Sequence, residues 1–129
     1  MENELPFAET SLATIRYTAV DRVEVRFKPG QTLTVAGLAE IMTIRQRLGA
    51  TGKHRLIVFM CEEMDFDLAM ITTDHYAVHP QSNTEAVAWV TLNDRNEQFT
   101  RMYLSYWPSP FPSAVFRGEE EARAWLEAV

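Results

Sequence analysis

Apolar and polar positions change their spacing along the chain, and each change predicts an element. Val23, Val25 and Phe27 alternate with Glu24, Arg26 and Lys28, the two-residue period of a strand with one face buried. Residues 12–19 before them mix β-branched and aromatic side chains, and Asp21-Arg22 supplies a tight turn. Residues 12–27 therefore read as a hairpin, stopped by Pro29-Gly30.

From Val35 to about Leu48 the period lengthens. Leu38, Ile41, Arg45 and Leu48 lie along one side of a helix, with Met42 and Ile44 flanking. Thr34 stands where a cap is needed, and Gly49 and Gly52 stand where the helix ends. Residues 55–60 form an unbroken apolar run after Arg55, the pattern of a central strand covered on both faces. Residues 61–66 read as a turn rich in carboxylates, residues 67–78 as a second helix, and residues 86–91 as another buried strand. Asn93 or Asp94 caps a third helix whose apolar positions are Phe99, Met102, Tyr103 and Tyr106. Beyond Pro108, Pro110 and Pro112, a last strand near residues 113–116 leads into a closing helix. There Ala122, Trp125, Leu126 and Val129 share a face, and Glu119, Glu120 and Glu121 fill the first turn, where the helix dipole favours anions.

The order β-β-α-β-α-β-α-β-α predicts an α/β fold: a mixed five-stranded sheet with an N-terminal hairpin and helices mainly on one face. Residues 1–10 are expected to form a tail and residues 11–129 a single domain.

Composition narrows the function classes. At 129 residues with 47% hydrophobic content, one core suffices. The net charge is −6 and no basic run exceeds Lys53-His54-Arg55. Phosphate backbones and anionic membrane surfaces require clustered cations, so neither nucleic acid nor membrane binding is expected. No apolar run reaches the roughly 20 residues of a spanning helix. Cys61 is the single cysteine, so no internal disulfide forms, and the acidic start lacks the features of a secretory leader. The expectation is a soluble cytoplasmic protein.

Few residues suggest chemistry. His75 and His79 are four apart, with Asp74 adjacent, and are weak metal candidates. The glutamate usual after the first histidine is absent, and Pro80 ends the helix early. The competing reading is a pair of cap or surface histidines. Cys61 follows the central strand, where parallel sheets often carry functional groups. Its neighbours Glu62 and Glu63 are acids, which hold a thiol protonated and favour an inert cysteine. Glu62, Glu63, Asp65 and Asp67 could serve acid–base chemistry or hold a hard cation, but they fit no calcium loop, and a solvated loop with helix capping is the favoured reading. Phe99, Tyr103, Tyr106, Trp107, Phe111 and Phe116 are either core or the lining of a ligand pocket. No glycine-rich phosphate loop, nucleophile elbow or nucleophile–base set is visible, so no catalytic residue and no cofactor is assigned.

Phe27-Lys28-Pro29-Gly30, the strands at residues 56–60 and 86–90, and the tail bearing Pro112, Phe116, Glu120-Glu121-Ala122 and Trp125-Leu126 are packing signatures. In these, the chain resembles STAS-like domains of the anti-sigma-factor-antagonist type, and more closely a small group of bacterial antagonist-like or CRAL-TRIO-related proteins. The resemblance covers residues 11–129 and implies a non-enzymatic protein-interaction or regulatory module. It also implies a phosphorylatable serine in the turn after the third strand. Here that turn reads Met60-Cys61-Glu62-Glu63-Met64-Asp65-Phe66-Asp67-Leu68, with no serine and no glycine. Asp65 or Asp67 supplies part of a phosphoserine's charge. Cys61, Glu62, Glu63, Asp65 and Asp67 are accordingly the expected interaction loop. The lipid-transfer side of the resemblance implies the alternative, a small apolar or lipid-like ligand. A two-fold homodimer is expected through Tyr106, Trp107 and Phe111.

Overall fold

The computed structural model describes residues 5–48 and 52–129. Gly49, expected to end the first long helix, lies outside them. Along the chain run β1 (Phe7–Glu9), β2 (Ala13–Ala19), β3 (Arg22–Phe27), β4 (Gln31–Leu33), α1 (Val35–Leu48), β5 (His54–Phe59) and β6 (Met64–Phe66). Then follow α2 (Ala69–Thr72), α3 (His75–Val78), β7 (Thr84–Val90), α4 (Asp94–Tyr106), β8 (Ser113–Phe116) and α5 (Glu119–Ala128).

The fold is the expected mixed α/β type. The main sheet has six strands in the order β1-β2-β3-β5-β7-β8. β1, β2 and β3 are antiparallel neighbours, and β3, β5, β7 and β8 run parallel. The sixth strand is β1, within the stretch expected to be a tail. Phe7 pairs with Arg16 and Glu9 with Thr14, and three residues are too short to display a period in sequence. Likewise, β4 and β6 form a small parallel pair; β6 lies inside the stretch read as a turn, and β4 in a stretch assigned no element. Gly30, at φ +74°, makes the corner into β4, where a side chain would be strained.

Alternation along the strands sorts the two faces. Ile15, Val23, Val25, Leu56, Val58 and Val87 point into the larger core, packed by Leu38, Ile41 and Leu48 of α1, Met70 of α2 and Phe99 of α4. Ile57, Ala86, Ala88 and Val90 point the other way, under Ala122 and Leu126 of α5. Helices thus lie mainly on one face, with α5 alone on the second. Arg123 of α5 reaches Glu24 at 2.9 Å, and Arg22 reaches Glu127 at 2.9 Å.

Two helices differ from expectation. The second splits into single turns because Thr73 and Asp74 are extended; Asp74 then caps α3, its carboxylate accepting from the Ala77 amide at 3.3 Å. In α4, Asn93 is the cap and accepts from the Asn96 amide at 2.8 Å. Asn96, Thr100 and Tyr103 form its buried stripe, while Met102 and Tyr106 are 45% and 63% exposed. Hydrophobic spacing chose a face rotated from the real one. Asn96 and Thr100 are buried through local bonds: Asn96 accepts from the Leu92 amide, and the Thr100 hydroxyl donates to the Asn96 carbonyl.

Candidate functional site

A small cavity of about 60 Å³, partly open to solvent, lies between the larger-core face of the sheet and the helices above it. Its floor is Val25, Phe27, Leu56, Val58 and Trp89. Leu38, Ile41, Met42 and Arg45 of α1 form one wall; Met70, His75 and Tyr76 of α2 and α3, with Phe99, Thr100 and Tyr103 of α4, form the others. An apolar lining with few polar groups is the character of small-molecule sites.

The lining is mostly apolar; besides His75, Tyr76, Thr100 and Tyr103, its polar residue is Arg45. Helical spacing sets this side chain on the same stripe as Ile41 and Met42, and it is only 4% exposed. Its Nη2 donates to the Thr84 hydroxyl at 2.8 Å and lies 3.5 Å from His54 Nε2. A guanidinium only donates, so Nε2 is the acceptor of His54 and its ring proton sits on Nδ1. Arg45 Nε has no hydrogen-bond partner among the described residues, and the side chain forms no ion pair among them. Burial lowers the Arg45 pKa, opposed by Tyr76 and Tyr17. Burial and the neighbouring Arg45 charge depress His54 to about 4, leaving it neutral at pH 7. Tyr76 is pushed up to about 12 by burial and stays a phenol. The cation therefore stands among neutral groups. At the other end of β7, the Trp89 indole N–H is also buried without a partner among the described residues.

The aromatic group separates. Phe99 and Tyr103 line the cavity, and Phe99 stacks on Phe66 with ring centroids 3.8 Å apart. Trp107 folds back onto α2, its indole N–H donating to the Ile71 carbonyl at 2.7 Å. Phe111 packs edge-on against Tyr76 at 5.0 Å. Phe116 lies on the opposite face, 5.8 Å from Trp125. Of the proposed self-association residues, only Tyr106 projects freely.

His75 is buried, its Nε2 3.0 Å from the Met70 carbonyl and its ring stacked on Tyr103. His79 is the terminal residue beyond α3. Asp74 is engaged as a cap, and no group of three or more ligating side chains suited to a metal occurs among the described residues.

The acidic loop is held to the fold. The Cys61 thiol donates to the Phe27 carbonyl, and burial with the Glu63 charge raises its pKa. The carbonyls of Glu62 and Glu63 accept from the Asn93 side chain and the Gly30 amide. Asp65 pairs with Arg95 at 2.8 Å, and Asp67 accepts from the Ala69 amide at 3.2 Å. Glu62, Glu63, Asp65 and Asp67 are all solvent-exposed.

Arg45, His54, Thr84 and Trp89 were not singled out as site residues from sequence. One signal was legible: an arginine on an apolar helix stripe whose neighbours a turn away, Ile41, Met42 and Leu48, offer no carboxylate.

Residues 22–129 match the family model described as Domain of unknown function (DUF7793), and the chain belongs to that family. No curated protein and no solved structure matches the chain. Among the described residues, no helix is long and apolar enough to cross a membrane.

Proposed function

We propose that this domain is a non-enzymatic binding module whose cavity between the sheet and α1, α2, α3 and α4 accepts a small apolar ligand. The observation that carries this reading is the cavity itself, walled by side chains from every helix on that face of the sheet. Close-packed interiors leave few voids larger than a water molecule, and this one exceeds that size behind an almost wholly apolar lining. Native mass spectrometry of protein purified from its own host tests the proposal. A co-purifying species of defined mass is expected. A clean ligand-free mass, together with no uptake of added medium-chain alcohols, would overturn it.

The second reading is a STAS-like interaction or regulatory module acting through Cys61, Glu62, Glu63, Asp65 and Asp67. It is supported by Leu68, an apolar side chain 86% exposed beside this acidic loop. Pull-downs with Asp65→Lys/Asp67→Lys should lose partners recovered by the wild type; unchanged recovery would count against that surface.

A further inference from the structure

The second face of the main sheet is only half covered. α5 packs over β5, β7 and β8, with Ala122 and Leu126 against Ile57, Ala86, Ala88 and Val90. Among the described residues no helix lies over β1, β2 and β3 on this side. Phe7 and the Arg26 side chain are each 50% exposed, and Arg16 and Thr18 are open to solvent. Three strands at their usual spacing make a strip roughly 14 Å wide, and packed helices lie about 8–10 Å apart. The strip therefore has room for one more helix beside α5.

We propose that the helix filling this strip is α5 of a second copy, in a two-fold dimer. Cross-strand pairing sets Phe7, Arg16 and Glu24 in one row of the strip and Glu9, Thr14 and Arg26 in the next. Both carboxylates are already engaged, Glu9 by Lys28 and Glu24 by Arg26 and Arg123. Arg16 forms no ion pair among the described residues; its guanidinium lies 5.4 Å from the centroid of the Phe7 ring. The strip thus presents cations on a chain whose net charge is −6. The outer side of α5 is its complement. Glu120, Ala124 and Glu127 follow at i, i+4 and i+7, turned away from the buried Ala122 and Leu126, and all three are exposed. Ala124, with no side chain beyond Cβ, lets the helix approach a sheet closely. The pairs Arg123–Glu24 and Arg22–Glu127 set the level of α5 along β3. α5 and the strip lie side by side on one face, so a two-fold axis between two such faces, along the strand direction, seats each α5 on the other copy's strip at that same level. Ala124 then meets the row of Phe7 and Arg16, and the Arg16 guanidinium lies between the partner's Glu120 and Glu127.

Light scattering and analytical ultracentrifugation over a wide range of concentration test this arrangement. The wild type should form dimers that loosen as salt is raised. Arg16→Glu should weaken dimerisation by at least about tenfold, because it sets a carboxylate against the partner's Glu120 and Glu127. Arg16→Glu/Glu120→Arg should recover most of that loss. Ala124→Arg should also give a monomer, by filling the point of close approach. All three positions are exposed, and far-UV circular dichroism checks that each variant is folded. A monomeric wild type, or a dimer indifferent to both Arg16→Glu and Ala124→Arg, overturns the proposal. A dimer dispersed only by changes at Tyr106 and Met102 overturns it as well, since that places the interface on α4. Failure of the charge swap to recover association overturns the pairing of α5 with the strip.

Discussion

Arg45 on α1 and Thr84 at the start of β7 meet at 2.8 Å across 39 residues of chain, and this contact brings a permanent cation into the apolar core. Buried arginines are ordinarily matched by carboxylates. Among the described residues this one is met by a hydroxyl and an uncharged imidazole, so it opposes folding. Arg45→Met keeps most of the side chain's volume and removes the charge. The unfolding free energy of the ligand-free protein should rise by about 1–3 kcal/mol, read from urea midpoints at constant slope. A loss of stability would mean that the guanidinium holds the fold together.

The same cluster makes stability depend on pH. His54 faces Arg45, Thr84 and the edge of the Tyr17 ring, whose centroid is 6.1 Å away. Its pKa is about 4 in the folded protein against 6.5 for the free side chain. Between those values the unfolded chain binds a proton that the native state excludes, so stability rises with pH there. The contribution is fully present above pH 6.5 and is lost as pH falls towards 4. Allowing for partial solvent screening, it amounts to about 2 kcal/mol. His75 is depressed by burial as well and acts in the same direction. His54→Gln should flatten the slope of stability against pH between 4 and 6.5. An unchanged slope would place the effect on other groups.

The elements most legible in sequence were those long enough to display a period. The hairpin, α1, the parallel strands around Leu56 and Val87, and α5 all declared themselves by spacing. Thr34 caps α1 as its position suggested, accepting from the Gly37 amide at 3.0 Å. What stayed hidden has physical reasons. Strands of three residues, β1, β4 and β6, carry no period. The split between α2 and α3 depends on the extended conformation of Thr73 and Asp74, which composition does not encode. The face of α4 was misassigned because Asn96 and Thr100 are buried through hydrogen bonds, whereas hydropathy sends them outward. The site was the least legible part. Arg45, His54, Thr84 and Trp89 come from three elements, α1, β5 and β7, and only the tertiary fold brings the first three together.

Leu56 and Val87 pair across β5 and β7, and both point into the larger core. Replacing either with aspartate buries a carboxylate without a partner at 2% or 0% exposure. Each change should cost more than about 4 kcal/mol and abolish cooperative unfolding. Circular dichroism melts of Leu56→Asp and Val87→Asp measure this directly. Folded versions of both would be incompatible with the parallel pairing of these strands.

Trp107 and Tyr106 are adjacent in sequence but do opposite things. Trp107 is fastened inside the monomer by its bond to the Ile71 carbonyl. Trp107→Ala should therefore lower monomer stability by about 2 kcal/mol, from lost apolar burial and a stranded carbonyl. Tyr106 and Met102, one helical turn apart on α4, are the exposed apolar pair on that helix. We propose that any two-fold association through this stretch is centred on them, since aromatic residues and methionine are enriched at interface centres. Light scattering of the wild type gives the oligomeric state. If it is a dimer, Tyr106→Ser/Met102→Lys should yield a folded monomer with an unchanged melting temperature at low concentration. Trp107→Ala should remain dimeric while melting earlier. A dimer that survives the Tyr106/Met102 changes, or a wild type that is monomeric throughout, would remove this surface from consideration.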